Sequence, residues 1–273
     1  MGGSTRPPPL GRGRYHGASI VRDPRERFSD RVDDYVRCRP GYPRSLLDSL
    51  IRQCALGPDR VVVDLGSGTG ILSEMLLSSD ARVIGVEPNA AMREAAEQRL
   101  GTDPNYESVD GSAEATGLPA ASADVATAAQ AFHWFDPART RTELQRVLRP
   151  PGWVALVWNL RTSTPFNDAY DSMLEQLAPE YPAVRARDRV AGSTVRDFLA
   201  PREPLVERFP NRQRFDEAGL AGRLMSSSYA PKPGQPGHEP LMQRMREIFA
   251  EHARDGHVEL QYETVAYLGT LLA

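Results

Sequence analysis

The sequence holds a single lysine, Lys232, among 33 basic residues, and only two cysteines, Cys38 and Cys54. A phosphate-gripping P-loop needs lysine directly after a glycine, so the glycine loop discussed below is not one. Two cysteines in different elements, with no second pair, build neither a disulfide framework nor a thiolate zinc site; no metal is expected, and the usage suits a reducing compartment. No stretch approaches the ~20 apolar residues of a membrane span. The head MGGSTRPPPLGRGRYHG carries arginines but lacks the apolar run of a secretory signal. A cytoplasmic protein without a membrane partner is the expectation. The net charge of -3 lacks the positive excess that draws a chain to nucleic acid.

What is present is ordinary globular material: 273 residues, 40% hydrophobic and 25% charged, enough for one large domain with a real core. From Asp23 onward helices and strands alternate. Asp23-Pro24 starts a helix with Phe28, Val32 and Tyr35 on one face, and a second helix carries Leu46, Leu47, Leu50, Ile51 and Cys54. Strands are expected at Val61–Val63, Arg82–Glu87, Tyr106–Val109, Asp124–Ala131 and Trp153–Asn159. The helices between include one at Ala90–Leu100 closed by Gly101 in the C′ position, and one over Glu143–Leu148 stopped at Pro150-Pro151-Gly152. The alternation predicts an α/β fold, Rossmann-like, with a doubly wound parallel sheet. Beyond Asn159 the rhythm weakens: Phe166–Leu177 reads as helix, Met225–Tyr229 as strand, Glu239–His252 as helix and His257–Leu268 as a last strand.

The loop DLGSGTG, Asp64 to Gly70, follows the first strand, where open α/β sheets bind ligands. Its glycines let a ligand approach backbone closely and offer N–H groups where the next helix begins. A dinucleotide fingerprint would need glycine where Ile71 stands. Asp64 would repel a pyrophosphate but pair with an ammonium group. Glu87, at the end of the second strand, can accept from both hydroxyls of a ribose. A ribose joined to an amino acid head describes S-adenosylmethionine.

DLGSGTG, VIGVEPNAAM, DGSAEATGLP, ADVATAAQAFHWFD and LQRVLRPPGWVALVWN together resemble the class I S-adenosylmethionine-dependent methyltransferases. FSDRVDDYVRCRPGYP and SSSYAP narrow the resemblance to the trans-aconitate-methyltransferase-like branch. The resemblance implies a seven-stranded sheet whose last strand is antiparallel. It implies that Asp64, Gly66 and Gly68 surround the methionine part, that Glu87 holds the ribose, and that Met92, Ser112 and Ala113 meet the adenine, with Gln130 near the sulfonium. Serine at 112 departs from the aspartate many relatives carry there, and Met92 has a plain core reading as well. An amino-terminal segment with Tyr35, Arg39 and Tyr42 would close as a lid, the first two toward the cofactor and Tyr42 toward the substrate; Arg39 can also fork onto a substrate carboxylate or make a helix-capping salt bridge. On this reading residues 1–22 are a flexible tail and 23–273 one domain. Its parts are lid helices at 23–56, a cofactor core at 61–159, a substrate-side elaboration at 160–237 and a closing helix and strand at 238–273.

Candidates for the reacting end gather after the fourth and fifth strands. His133 suits a general base or a substrate anchor, or a loop histidine bonded to backbone. Trp134 and Trp158 wall a planar pocket or fill core, and Asn159 stands beside them as a substrate contact. The expected activity is methyl transfer to a small molecule, at a carboxylate or at a nitrogen or oxygen of a secondary metabolite, by a monomer or homodimer. The other reading open to the sequence is a protein of this fold that binds the cofactor without methyl transfer.

Overall fold

The computed structural model describes residues 38–183 and 194–272. The helix expected from Asp23, and Tyr35 with it, lie outside the described residues. Among the described residues the elements run α1 (Arg44–Cys54), β1 (Val61–Leu65), α2 (Ile71–Leu77), β2 (Arg82–Val86), α3 (Ala90–Leu100), β3 (Tyr106–Val109) and β4 (Ala123–Ala129). A single 3₁₀ turn over Phe132–Trp134 leads to α4 (Pro137–Val147) and β5 (Leu148–Arg161). Then come α5 (Pro165–Leu177), β6 (Leu205–Phe215), α6 (Glu217–Met225), α7 (His238–His252) and β7 (Val258–Thr270).

The seven strands form one sheet in the order β3-β2-β1-β4-β5-β7-β6. β1 to β5 are parallel; β7 runs antiparallel to both of its neighbours, as expected of the last strand. Side chains along β1 alternate between two cores. Val63 and Leu65 pack with Leu144 and Val147 of α4 on one face, and Val62 with Leu46, Leu50, Leu72 and Leu76 of α1 and α2 on the other. The same alternation turns Asp64 toward α2. A third core, separate from the sheet's two, joins Tyr170 and Leu174 of α5, Leu220 and Leu224 of α6, Met245 and Ile248 of α7, and Leu260 and Tyr262 of β7.

Four expectations need correction. Gly101 is a C-cap with φ -65, inside the right-handed region; a Cβ there would stand 2.5 Å from the Glu97 carbonyl oxygen, so glycine serves close packing rather than a left-handed turn. α4 ends at Val147, ahead of Pro150-Pro151-Gly152, which lie within β5; the pairing of β5 with β4 shifts register between Ala123 and Val125, an irregularity that accommodates prolines. Met225–Tyr229 is not a strand. Met225 ends α6, and Ser226 and Ser227 fold back on it, the Ser226 hydroxyl donating to the Arg223 carbonyl at 2.7 Å. A whole strand, β6, is absent from the sequence reading. Its Glu207, Arg208, Arg212 and Arg214 and its Pro210 suit a sheet edge, where charge and proline block further pairing.

Candidate active site

A cavity of about 530 Å³ opens at the carboxyl ends of β1, β4 and β5. Among its walls are Gly66, Ser67, Gly68 and Thr69 from the loop after β1, Gln130, His133 and Trp134 after β4, and Trp158 to Arg161 at the end of β5. Arg39, Pro40 and Tyr42 close one side, and Asp171, Tyr181, Arg223, Tyr229 and Tyr262 form the far wall.

The glycines of the loop have different jobs. Gly66 and Gly68 both take positive φ, +61 and +56, a region that costs any other L-residue about 1–2 kcal/mol. A Cβ at Gly66 would stand 2.8 Å from the Ala131 Cβ, whereas one at Gly68 would meet nothing within 4 Å. Gly70 packs instead: its Cβ would strike Leu100 of α3 at 2.7 Å. The loop is anchored by the Gly66 N–H, which donates to the Val86 carbonyl at 2.8 Å.

Asp64 is 1% exposed, and its carboxylate accepts from the Ser73 hydroxyl at 2.7 Å and the Thr127 hydroxyl at 2.8 Å. Burial outweighs these bonds and pushes its pKa up to about 6; the nearby Glu87 carboxylate adds to the rise. A cationic group beside it would reverse that shift. Glu87 ties two loops together, accepting from the Gly68 N–H at 3.0 Å and the Asn89 N–H at 2.9 Å, and burial likewise raises its pKa. Asn89 caps α3 by accepting from the Met92 N–H at 3.1 Å.

Of the candidate residues, Arg39, Tyr42, Asp64, Gly66, Gly68, Gln130, His133, Trp134, Trp158 and Asn159 line the cavity together. Glu87, Met92, Ser112 and Ala113 lie outside its wall, Glu87 joined to it by the Gly68 hydrogen bond and Met92 and Ala113 buried. Gln130 holds a positive φ of 56, an uncommon backbone state for a side chain of its size, and its amide donates to the Asn159 carbonyl at 3.3 Å. His133 stands with its ring 5.0 Å from that of Trp134. Trp158 is both buried and at the cavity. It is 1% exposed, edge-on to Phe132 and Tyr267, yet it lines the cavity, and its indole N–H finds no acceptor among the described residues.

Asn159 is largely engaged by the protein itself. Its oxygen accepts from Thr264 at 2.5 Å and from the Asn211 amide at 3.2 Å, and its own amide donates to the Gly41 carbonyl at 3.2 Å, which Asn211 also reaches at 2.9 Å. These bonds fasten the amino-terminal segment to the sheet.

Sequence reasoning missed Ser73 and Thr127, which hold Asp64, and the whole far wall. The signal for Arg223 was there: it lies three residues after Leu220 and one before Leu224, a cation beside two buried leucines of a short helix.

The fit to a cofactor rests on this loop. Gly68 leaves room on its Cβ side, the Thr69 hydroxyl is buried without a partner among the described residues, and a buried carboxylate stands behind both. Backbone donors, an open glycine face and one acid accommodate an amino acid head and reject a pyrophosphate. Sheet order, reversed strand and loop define a class I S-adenosylmethionine-dependent methyltransferase.

Residues 63–156 match the family described as Methyltransferase domain. A protein of Mycobacterium tuberculosis (strain ATCC 25618 / H37Rv), described as an uncharacterized methyltransferase, is 33% identical over 251 residues, spanning 89% of this chain and 95% of that protein. The chain belongs to this methyltransferase family, and S-adenosylmethionine is its cofactor. Among solved structures, a candidate type II methyltransferase from Anaeromyxobacter dehalogenans shares 29% identity with a TM-score of 0.63 over 86% of this chain and 98% of that one. A candidate methyltransferase of an antibiotic biosynthesis pathway in Anabaena variabilis shares the fold at 20% identity and a TM-score of 0.57, covering 85% of this chain and 99% of that one. No helix among the described residues is long and apolar enough to cross a membrane.

Proposed function

We propose that the chain methylates a small-molecule acceptor, at a carboxylate or at a nitrogen or oxygen of a secondary metabolite, in the cytoplasm and as a monomer or homodimer. The observation that carries this reading is the shape of the cavity: one space runs from the glycine loop to an aromatic wall, at a size suited to small ligands. The sulfonium of the bound cofactor supplies an activated methyl group, so the chain's task is mainly to position the acceptor and exclude water. Such positioning supplies roughly 7–11 kcal/mol of rate enhancement.

In this reading Asp64, Gly66 and Gly68 hold the amino acid head and Glu87 the ribose. Met92, Ser112 and Ala113 flank the adenine, and Gln130 faces the sulfonium side. Tyr35 and Arg39 cover the cofactor. Tyr42, Trp134, Trp158 and Asn159 border the acceptor. Trp158 offers its indole N–H to an acceptor oxygen, and Asn159 holds the amino-terminal segment closed. His133 takes a proton from an acceptor that carries one, or anchors one that does not. The trans-aconitate-methyltransferase-like resemblance favours a carboxylic acid among these acceptors.

The test is twofold. Calorimetry should show S-adenosylmethionine binding, and release of S-adenosylhomocysteine should be followed across a panel of organic acids, amines and alcohols. Turnover confined to such compounds is the expected result. Turnover only with a protein or nucleic acid acceptor would overturn the reading.

A further inference from the structure

Among the described residues lining the cavity are three arginines, Arg39, Arg161 and Arg223, and two carboxylates, Asp64 and Asp171. Asp64 belongs to the cofactor end. Asp171 is taken by Arg161, whose Nε lies 2.7 Å from it, and by Tyr181, whose hydroxyl donates to it at 2.9 Å. Arg39 donates from Nη2 to the Ser226 carbonyl at 3.0 Å.

Arg161 Nε is aligned for no hydrogen bond, but Asp171 neutralises its charge; Arg223 differs in having no carboxylate beside it among the described residues. Set on α6 and only 4% exposed, it donates from Nη1 to the Ser227 hydroxyl at 3.0 Å. Its Nε is buried without an acceptor among the described residues, Nη2 makes no hydrogen bond there, and no carboxylate pairs with it. The Nε–Nη2 edge is the fork that takes a carboxylate with two parallel hydrogen bonds. A buried guanidinium with an unused fork is costly unless a ligand supplies the acceptor. Its neighbours Tyr170, Tyr229 and Tyr262 are phenols, which shield the cation without neutralising it. Burial raises the Tyr229 pKa, yet Arg161 and Arg223 together draw the phenol below its usual value, the mark of local positive excess.

We infer that Arg223 anchors an oxyanion of the acceptor molecule, so that the substrates are small organic acids held at the far wall by a charged group. This rests on the methyl-acceptor reading of the cavity and narrows it. An acid with a second polar group would place that group toward His133 and Trp158 while Arg223 fixes the other end.

The experiment uses the full chain loaded with S-adenosylhomocysteine. Affinities are measured by calorimetry for linear dicarboxylates from succinate to suberate, each beside its uncharged diamide. At least one dicarboxylate should bind about tenfold or more tightly than its diamide. That preference should vanish in Arg223→Met and partly return in Arg223→Lys. In the wild-type chain the Arg223 ¹⁵Nε resonance should move with the dicarboxylate and not with the diamide, which decides the matter even where Arg223→Met does not fold. Equal binding of acid and amide throughout, a preference kept in Arg223→Met, or an unmoved Nε resonance would overturn the anchor. S-adenosylhomocysteine binding with none of these acid effects would leave methyl transfer standing and remove only the anchor. Acid preference without S-adenosylhomocysteine binding would do the reverse.

Discussion

The loop after β1 and the wall made by α6 and the end of β5 face one cavity, yet they handle charge in opposite ways. At the loop the charges are acids, Asp64 and Glu87, and each is already met by two hydrogen-bond donors of the chain. At the wall the charges are arginines: Asp171 neutralises Arg161, while Arg223 has no carboxylate partner among the described residues. On the proposed assignment the first end is preorganised by the protein's own bonds, and the second is completed by what it binds. A cofactor is the same in every turnover, so its seat can be finished in advance. The acceptor's seat carries the selectivity.

If the ends are separable, variants at one should leave the other untouched. The largest effect belongs to His133→Asn at the acceptor end. Turnover of an acceptor that must lose a proton should fall by roughly 10²–10⁴ while cofactor affinity holds, read by steady-state kinetics beside calorimetry. Unchanged turnover would take His133 out of the chemistry.

Next comes Glu87→Ala at the cofactor end. Losing a charged acceptor for the ribose should weaken S-adenosylhomocysteine binding on the order of 10²-fold. The Gly68 and Asn89 N–H groups it leaves behind should also lower stability by about 1–3 kcal/mol, seen in urea unfolding. Wild-type affinity in this variant would remove Glu87 from the ribose.

The glycines sharpen the contrast within the loop. Gly66→Ala adds a clash with Ala131 to its backbone strain and should cost roughly 2–4 kcal/mol of stability, whereas Gly68→Ala bears the strain alone, about 1–2 kcal/mol. Gly68→Ala should nonetheless weaken cofactor binding, because its methyl enters the cavity. Equal melting temperatures would contradict the geometry.

Acid provides a gentler probe. With its pKa at about 6, Asp64 is protonated more readily in the folded chain than in the unfolded one. Its contribution to stability is therefore greatest at low pH and declines as pH rises toward 6, leaving a cost of roughly 3 kcal/mol above that point. Binding of a cationic head needs the ionised form, so cofactor affinity should fall by up to about tenfold per pH unit below 6. Asp64→Asn should abolish that slope and stabilise the cofactor-free chain near neutral pH. A slope that persists would assign it to another group.

The smallest effect is expected at Asn211. Its replacement by alanine removes one of two amides on the Gly41 carbonyl and should loosen the amino-terminal segment by about 1 kcal/mol, visible as faster amide exchange at Arg39, Gly41 and Tyr42.

The same contrast explains what could be read from the chain in advance. β1, β2 and β4 are short apolar runs broken by glycine or acid, a pattern that a covered parallel strand imposes, and DLGSGTG states its chemistry locally. The far wall is assembled from β5, α5, α6 and β7, residues 161 to 262, and no local spacing announces that Arg161, Asp171, Arg223 and Tyr262 will meet. β6 went unread because an edge strand is written in charges, the opposite of the signal a buried strand gives. Ser73 and Thr127 went unread because a hydroxyl in an apolar run is too common to flag. Only the fold brings both to Asp64.

β7 lies between β5 and β6, although both precede it in the chain. As the polypeptide leaves the ribosome, β6 has no strand to join until β7 is made, since among the described strands it pairs with β7 alone. The edge of β5 is open for the same interval, and Tyr262 has yet to reach the wall beside Arg223. The half that carries the glycine loop has all its strands by Arg161, while the half with the arginine wall waits for roughly a hundred residues more. Synthesis order thus separates the two ends of the cavity in time, as their chemistry separates them in space.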